Sequence, residues 1–416
     1  MLRSLKNRLY FLVAWYFRFF ASIRLSRWKP RIVVLTGSNG KTTALHLVEL
    51  QVGGIARYSH YANSSFGIPF DILGLKRMTY SPFEWITLGL QAPFSAWKKP
   101  YNEKIYVVEA DCDRPGEGVF LSSFLKPEVV VWLNCARTHT QNFERAVRAG
   151  TSASVDEAIA HEFGYFLERA EKLAIINGDN PLILKETRRT KAEIFTIKES
   201  RLQQYAVHMN GTDFTMNDTT YRFPFLLPQE VFYSIAASAR VAEYFGVRPA
   251  NDLSGFAMPP GRSSIFKGIN NTTIVDSSYN ANVDSVAAIL RMTEKLPAEK
   301  KWLILGDLTE QGASEKEEHE KIAPLVSEVK FRKVILVGPR LKKYAAPLLH
   351  EAVSFEGPRE ALDHIASSMT GGEMLVFKGA RFLEGIIEHL LQNKADANKL
   401  CRREKIWQMR RTQWGL

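Results

Sequence analysis

The chain has 416 residues, enough for two or three domains and for a core whose size is not limiting. Hydrophobic residues make up 45% and charged residues 24%, ordinary for a soluble globular protein. Cys112, Cys135 and Cys401 are too few and too scattered for a disulfide framework or a zinc cluster, and they fit a reducing, cytoplasmic setting. The net charge of +11 sits at the ends: residues 1–31 carry eight Lys/Arg and no acid, and residues 393–416 carry seven against two. The body between them is about −2, and basic tails of this kind can meet anionic lipid or nucleic acid; the N-terminal segment favours lipid, and no nucleic-acid partner is expected.

The first segment, 1–29, is basic and aromatic. Leu9 to Phe17 is an unbroken apolar run, interrupted at Arg18 before Phe19-Phe20-Ala21. It is shorter than the roughly 20 residues needed to span a bilayer, and no small-residue cleavage site follows. Two readings stand. The segment is a helix lying in the membrane interface, or a helix docked by its Trp and Phe residues on the domain that follows.

Next, Ile32 to Leu35 reads as a buried strand and Ala44 to Leu50 as a helix. Between them runs Thr36-Gly37-Ser38-Asn39-Gly40-Lys41-Thr42-Thr43. Strand, glycine turn, Lys-Thr, helix is the context of a phosphate-binding loop. Glycines let backbone N–H groups approach phosphate oxygens, and the helix N-terminus adds positive potential. Lys41 can reach β- and γ-phosphates, and the Thr42 hydroxyl can ligate Mg²⁺. The spacing is a short variant, with Leu35 where the common pattern has its first glycine.

Strands are predicted at 105–108, 129–133 and 173–176, the last preceded by a helix over 155–171 with Ser154 as N-cap. Short strands fill 192–224, and a helix follows over 230–245. The loop Met258-Pro259-Pro260-Gly261-Arg262 is taken as a domain boundary. Beyond it the rhythm restarts, with strands at 272–275, 302–305, 334–337 and 374–377. The expected architecture is α/β: a central P-loop ATPase domain over 30–257, then a smaller Rossmann-like domain over 258–392 and a basic tail over 393–416. That tail, with Arg402, Arg403, Trp407, Arg410, Arg411 and Trp414, reads as a surface anchor or as disordered.

Ligands bind at the carboxyl ends of parallel strands. Glu109 ends one predicted strand, Asn134 ends the next, and His139 follows. Together with the loop, a carboxylate and an imidazole there are candidates to hold Mg²⁺. Asp111 and Asp113 read as a pair of metal ligands or as turn residues before Pro115-Gly116, and Glu315 to Glu320, with His319, as a solvated helix face.

The order of these motifs resembles the Mur ligase family, ATP-dependent amide-forming ligases of peptidoglycan precursor synthesis. The resemblance runs from about residue 30 to 392. It rests on the loop above, on Asn63-Ser64-Ser65-Phe66-Gly67-Ile68-Pro69, and on Glu109, Gly116-Glu117, Lys126-Pro127, Asn134 and His139. It also rests on Asn177-Gly178-Asp179-Asn180. Pro260-Gly261-Arg262, Asp276 to Asn282, Leu305-Gly306-Asp307-Leu308 with Glu310, Gly312 and His319, and Lys378-Gly379-Ala380-Arg381 with Glu384 are similar to one branch, which adds D-alanyl-D-alanine.

The resemblance implies a carboxylate activated by ATP as an acyl phosphate, then captured by an amine. It implies nucleotide contacts from Gly37, Ser38, Asn39, Gly40, Lys41, Thr42, Thr43, Arg262 and Asp276, a first Mg²⁺ on Thr42 and Glu109, and a second on His139. It implies Lys41, Glu109, His139 and Lys378 as catalytic residues, and Asn63, Asn282 and Asp307 as substrate contacts. The expected substrates are a cell-wall precursor carboxylate and an amino acid or dipeptide. The alternatives are a polyamide or folate-type polyglutamate ligase and a noncatalytic nucleotide-binding subunit.

Four positions depart from the family pattern. Only about 30 residues stand before the loop where the branch has a UDP-gripping domain, which points to a different acceptor grip or a lipid-linked acceptor at the inner membrane face. The helix Ile159 to Tyr165 lacks the family's carbamylated lysine, with His161 or Glu162 as substitute ligands or as a solvated face. Gln229-Glu230-Val231-Phe232-Tyr233 replaces the adenine-contacting helix start, and Ser277 replaces an Asp.

Overall fold

The computed structural model describes residues 2–60, 62–78 and 81–416; Met1 of the N-terminal segment lies outside the described residues. In chain order it runs α1 (Leu2–Trp28), β1 (Arg31–Thr36), α2 (Lys41–Val52), β2 (Ala56–Tyr58), α3 (Gly67–Leu73), α4 (Pro82–Trp97), β3 (Ile105–Ala110), α5 (Glu117–Leu125) and β4 (Val129–Trp132). There follow α6 (Thr140–Arg148), α7 (Val155–Glu168), β5 (Leu173–Asn177), α8 (Pro181–Glu186), β6 (Glu193–Ile197), β7 (Leu202–His208), β8 (Gly211–Met216), β9 (Thr219–Phe223) and α9 (Val231–Tyr244). The remainder is β10 (Ser264–Lys267), β11 (Thr273–Ser277), α10 (Val283–Glu294), β12 (Lys301–Gly306), α11 (Glu315–Glu320), α12 (Ile322–Ser327), β13 (Lys333–Val337), β14 (Val353–Phe355), α13 (Pro358–Ser368), β15 (Met374–Lys378), α14 (Leu383–Leu390) and α15 (Lys405–Gln413).

Packing divides the chain into two units. The first holds residues 1–135, 145–199 and 233–250; the second holds 136–144, 200–232 and 251–416. The sequence places the antiparallel strands in a central domain over 30–257, before the boundary at 258. In the structure, the antiparallel sheet β7-β8-β9 clusters with the later residues.

The first unit is a parallel sheet of order β2-β3-β1-β4-β5-β6. Its central strands are β-branched and fully buried, with Val33 paired to Val107 on one side and Val129 on the other. Such unbroken apolar runs suit a sheet covered on both faces. The chain goes from β1 to β2 and β3 on one side and then to β4 on the other. The end of β1 is therefore the switch point where open sheets bind ligands.

α1 docks on this unit against α3 and α4. Ala14, Phe17, Ala21, Leu25 and Trp28 form its buried edge, and Phe17 stacks edge-on against Phe70. Burying one such aromatic ring is worth about 1.5–3 kcal/mol. The docked reading of segment 1–29 therefore holds for one face of the helix. Leu9, Leu12, Trp15 and Phe19 remain exposed on the other. Among the described residues no helix is long and apolar enough to cross a membrane.

The second unit centres on a sheet of order β10-β11-β15-β12-β13-β14, parallel except for β10. Strand alternation sends Ile274, Ile304, Ile335 and Phe377 into one core, and Val275, Leu305, Leu336 and Val376 into the other. The basic tail is ordered. It forms α15, and Arg411 is buried against Glu384 of α14.

Candidate active site

In the first unit the phosphate loop joins β1 to α2. Gly37 has φ +129°, and a Cβ there would stand 2.8 Å from Asn134 O. Only glycine fits, because the loop lies against the residues after β4. Asn134 clamps it from both ends: its Oδ1 accepts from Asn39 N–H at 2.7 Å, and its Nδ2 donates to Asn39 O at 2.8 Å. Gly40 has φ +80° and opens α2.

Lys41 is buried, and its Nζ donates to Gly37 O at 2.5 Å and pairs with Asp111 Oδ2 at 2.7 Å. Asp111 therefore pairs with the loop lysine, a role that neither the turn nor the metal-ligand reading of the sequence included. The usable signal was its position two residues beyond Glu109, on the same side of an extending strand. Thr42 Oγ1 donates to Glu109 Oε2 at 3.1 Å, so the two residues expected at the first Mg²⁺ stand together. Thr43 is buried and Ser38 half-buried. Asn63 is exposed, and its carbonyl accepts from Asp111 N–H at 2.8 Å.

Two buried glutamates shape the turn between β3 and α5. Glu117 takes a hydrogen bond from Tyr10 at 2.7 Å, from Ser65 at 3.1 Å and from Asp113 N–H at 2.8 Å. Glu162 of α7 takes the N–H groups of Gly116 and Gly118, each at 2.9 Å. Burial pushes both carboxyls above their ordinary range. Glu162 is thus not on a solvated face: it is buried and caps the first turn of α5, where helix N–H groups lack partners. It lies among Ile159, Phe163 and Phe166, so helical periodicity alone marked it as inward.

On the side of α9, Ser234 Oγ lies 3.7 Å from the place a Gly40 Cβ would take, and Tyr233 OH donates to Asp179 Oδ2 at 2.6 Å.

The second unit gathers the other candidates at the carboxyl ends of β11, β15 and β12. Asp276 is fully buried; Ser278 N–H reaches its Oδ1 at 3.0 Å, and among the described residues its Oδ2 has no hydrogen-bond partner. Burial raises its carboxyl. Lys378 Nζ donates to Asn280 O at 2.8 Å, and burial, then repulsion from Arg262, push it down to about 7. Arg262 lies over the Tyr279 ring at 4.8 Å. Arg402, from the tail, donates to Tyr279 O at 2.6 Å and lies 3.4 Å from Glu384. No sequence signal pointed to it.

The other predicted contacts have jobs within the fold. Asn282 caps α10, accepting from Ser285 N–H at 2.9 Å. The Asp307 carboxylate accepts from Leu341 N–H at 2.9 Å and Arg381 Nε at 2.8 Å, so it anchors two loops. His139 belongs to this unit, with Nδ1 2.5 Å from Glu310. His319 and Glu318, expected on a solvated face, are buried. His319 Nε2 accepts from Leu308 N–H at 3.1 Å, and Glu318 pairs with Arg137 at 3.0 Å.

Two family profiles match the chain: the Mur ligase middle domain over residues 35–229, and the Mur ligase glutamate ligase domain over 261–381. The UDP-N-acetylmuramoyl-tripeptide–D-alanyl-D-alanine ligase of Bacillus subtilis is 27% identical over 90% of this chain and 78% of its own length. The ligase of the same name from Escherichia coli is 26% identical over 74% of this chain and 64% of its own length. Among solved structures, the MurF ligase of Thermotoga maritima in complex with ADP superposes with a TM-score of 0.74. It shares 20% identity and covers 90% of this chain and 83% of that one. The folylpolyglutamate synthase of Mycobacterium tuberculosis superposes at 0.57 with 15% identity, covering 89% and 94%. The chain belongs to the Mur ligase family of ATP-dependent acid–amino acid ligases.

Proposed function

We propose that the protein uses ATP to join D-alanyl-D-alanine, or another amino acid or dipeptide, to a carboxylate of a peptidoglycan precursor. The observation that carries this reading is the set at the end of β1: Lys41 buried beside the loop, with the Thr42 hydroxyl 3.1 Å from Glu109. That set fits phosphate and a hard divalent cation. Gly37 leaves open a space that a Cβ would fill, and the hydroxyl–carboxylate pair offers oxygen donors.

The acceptor carboxylate attacks the γ-phosphorus of ATP, and ADP leaves. The amine then attacks the acyl carbon of the acyl phosphate, and phosphate leaves as the amide forms. Catalysis of this kind rests on positioning and on positive charge around the phosphoryl oxygens. Lys41 and the backbone N–H groups of residues 37–43 supply that charge and hold the phosphates. Thr42 and Glu109 are the residues that would hold a first Mg²⁺, and His139 is the candidate for a second; such an ion supplies Lewis-acid charge when bound. Arg262 and Asp276 are assigned to the nucleotide. Lys378, held near neutrality, is matched to taking the proton that the amine gives up. Asn63 is assigned to the acceptor, while Asn282 and Asp307 position the loops around the second unit's cluster.

We place the protein in the cytoplasm, with segment 1–29 meeting the inner membrane face, an arrangement that suits a lipid-linked acceptor.

The test is phosphate release from Mg·ATP with paired acceptors and amines. UDP-muramoyl peptides and lipid-linked equivalents are combined with D-Ala-D-Ala, D-Ala, L-Glu or meso-diaminopimelate. Release that requires one pair and disappears in Lys41→Ala supports the ligase reading. Nucleotide binding without stimulation by any pair counts against it and favours a noncatalytic nucleotide-binding subunit.

A further inference from the structure

Helix α4 is built inside out. Its small residues Ala92, Ser95 and Ala96 are buried, while Phe83, Ile86, Leu90, Phe94 and Trp97 are 61–77% exposed. At 100° per residue these five fall on one narrow stripe. A surface helix in a globular protein normally turns such a stripe inward.

The stripe continues on α1. The two helices run side by side in the same direction: Tyr16 meets Gly89, Arg24 meets Ser95 and Arg27 meets Ala96. Leu9, Leu12, Trp15, Tyr16 and Phe19 of α1 are exposed. The result is a two-helix apolar face with aromatic side chains on both helices, larger than scattered surface residues account for.

The backbone of this face carries a second signal. Pro93 lies inside α4 and has no N–H, which frees the carbonyl four residues back, that of Gly89. Tyr16 OH donates to that oxygen at 2.8 Å. A solvated carbonyl needs no such side chain; one facing hydrocarbon does.

Charge selects the occupant. Residues 2–29 hold seven Lys/Arg and no acid, and residues 76–99 hold Lys76, Arg77, Lys98 and Lys99 against Glu84 alone. Arg27, Lys29, Lys98 and Lys99 are exposed at the matching ends of the two helices, with Arg27 over the Trp97 ring at 5.4 Å. An apolar, aromatic face with a cationic rim complements an anionic bilayer surface.

We infer that α1 and α4 together form a docking face that seats the protein on an anionic lipid bilayer, with the α4 stripe entering the headgroup–acyl boundary. This rests on the membrane contact proposed for segment 1–29 and adds to it a second helix that the sequence did not single out.

The full chain is floated on a density gradient with vesicles of phosphatidylcholine alone or with phosphatidylglycerol added. The expected result is flotation with the anionic vesicles. The triple variant Ile86→Ser/Leu90→Ser/Phe94→Ser is expected to lower the bound fraction about tenfold while nucleotide binding and melting temperature stay at wild-type values. Lys98→Glu/Lys99→Glu should weaken binding mainly at low salt. The inference is overturned if the triple variant floats like the wild type, or if the wild type is a dimer that this variant splits. Detachment by Leu12→Ser/Phe19→Ser alone preserves the contact of segment 1–29 and rejects α4. Failure of the wild type to float rejects both.

Discussion

The end of β1 and the end of β11 are both strand-end clusters of buried polar groups, yet they are built differently. At the first, nearly every contact is made by one contiguous octapeptide and the strands beside it: Gly37, Asn39, Lys41 and Thr42 meet Asn134, Asp111 and Glu109. The lysine there has a carboxylate partner at 2.7 Å. At the second, Lys378, Arg262 and Asp276 come from three separate stretches, and Arg402 arrives from the tail. Here burial outweighs pairing, and the lysine loses affinity for its proton. In one cluster the lysine is paired with a carboxylate; in the other it is buried beside an arginine.

This contrast is broken most sharply at Lys41. Lys41→Ala should lower ligase turnover by about 10³-fold or more, since it removes a charge aimed at the phosphoryl oxygens. Steady-state phosphate release reads it, and a loss below about tenfold would mean that the loop amides suffice.

Lys378 tests the other half. Lys378→Met should cost about 10²–10³-fold in turnover. In the wild type, kcat/KM should rise with pH through about 7 as Lys378 loses its proton, and that limb should vanish in the variant. Stability carries the same sign. Between about 7 and the ordinary value of 10.5 the unfolded chain keeps a proton that the folded chain lacks, so stability rises with pH across that window. Urea titrations at two pH values in wild type and variant measure the slope.

Glu162→Ala should act on folding more than on chemistry. It leaves the buried N–H of Gly118 unpaired, at about 1–3 kcal/mol, and the half-buried N–H of Gly116 unpaired at less, and the denaturant midpoint should fall accordingly. Glu162→Gln, which keeps one acceptor oxygen, should recover part of the loss. The smallest effect is expected at Arg402→Ala, about 1–2 kcal/mol from lost bonds to the Tyr279 carbonyl and Glu384. It should blur the second cluster and leave Mg·ATP binding to the first unit unchanged.

What the sequence disclosed follows the same division. The phosphate loop was legible because its chemistry is contiguous and its flanking strand and helix are short-range patterns. Glu109 was legible because a charge ending a β-branched run has few bland explanations. Asp111 was passed over because an Asp before Pro-Gly also fits a turn. Arg402 contacts residues more than 120 positions away, and no local pattern records such a meeting. The tail and α4 were misjudged or passed over for a shared reason. Composition says how apolar or basic a segment is, whereas packing decides which face is covered.

Asp111 has one more implication. Its side chain holds the phosphate lysine, and its backbone N–H holds Asn63, the head of the segment assigned to the acceptor. A single residue thus links Lys41 to Asn63. A shift at Asn63 is expected to be felt at Lys41, and the reverse by thermodynamic reciprocity. Calorimetric titration of nucleotide with and without acceptor would measure that crosstalk, and in Asp111→Ala the two ligands should become strangers to each other.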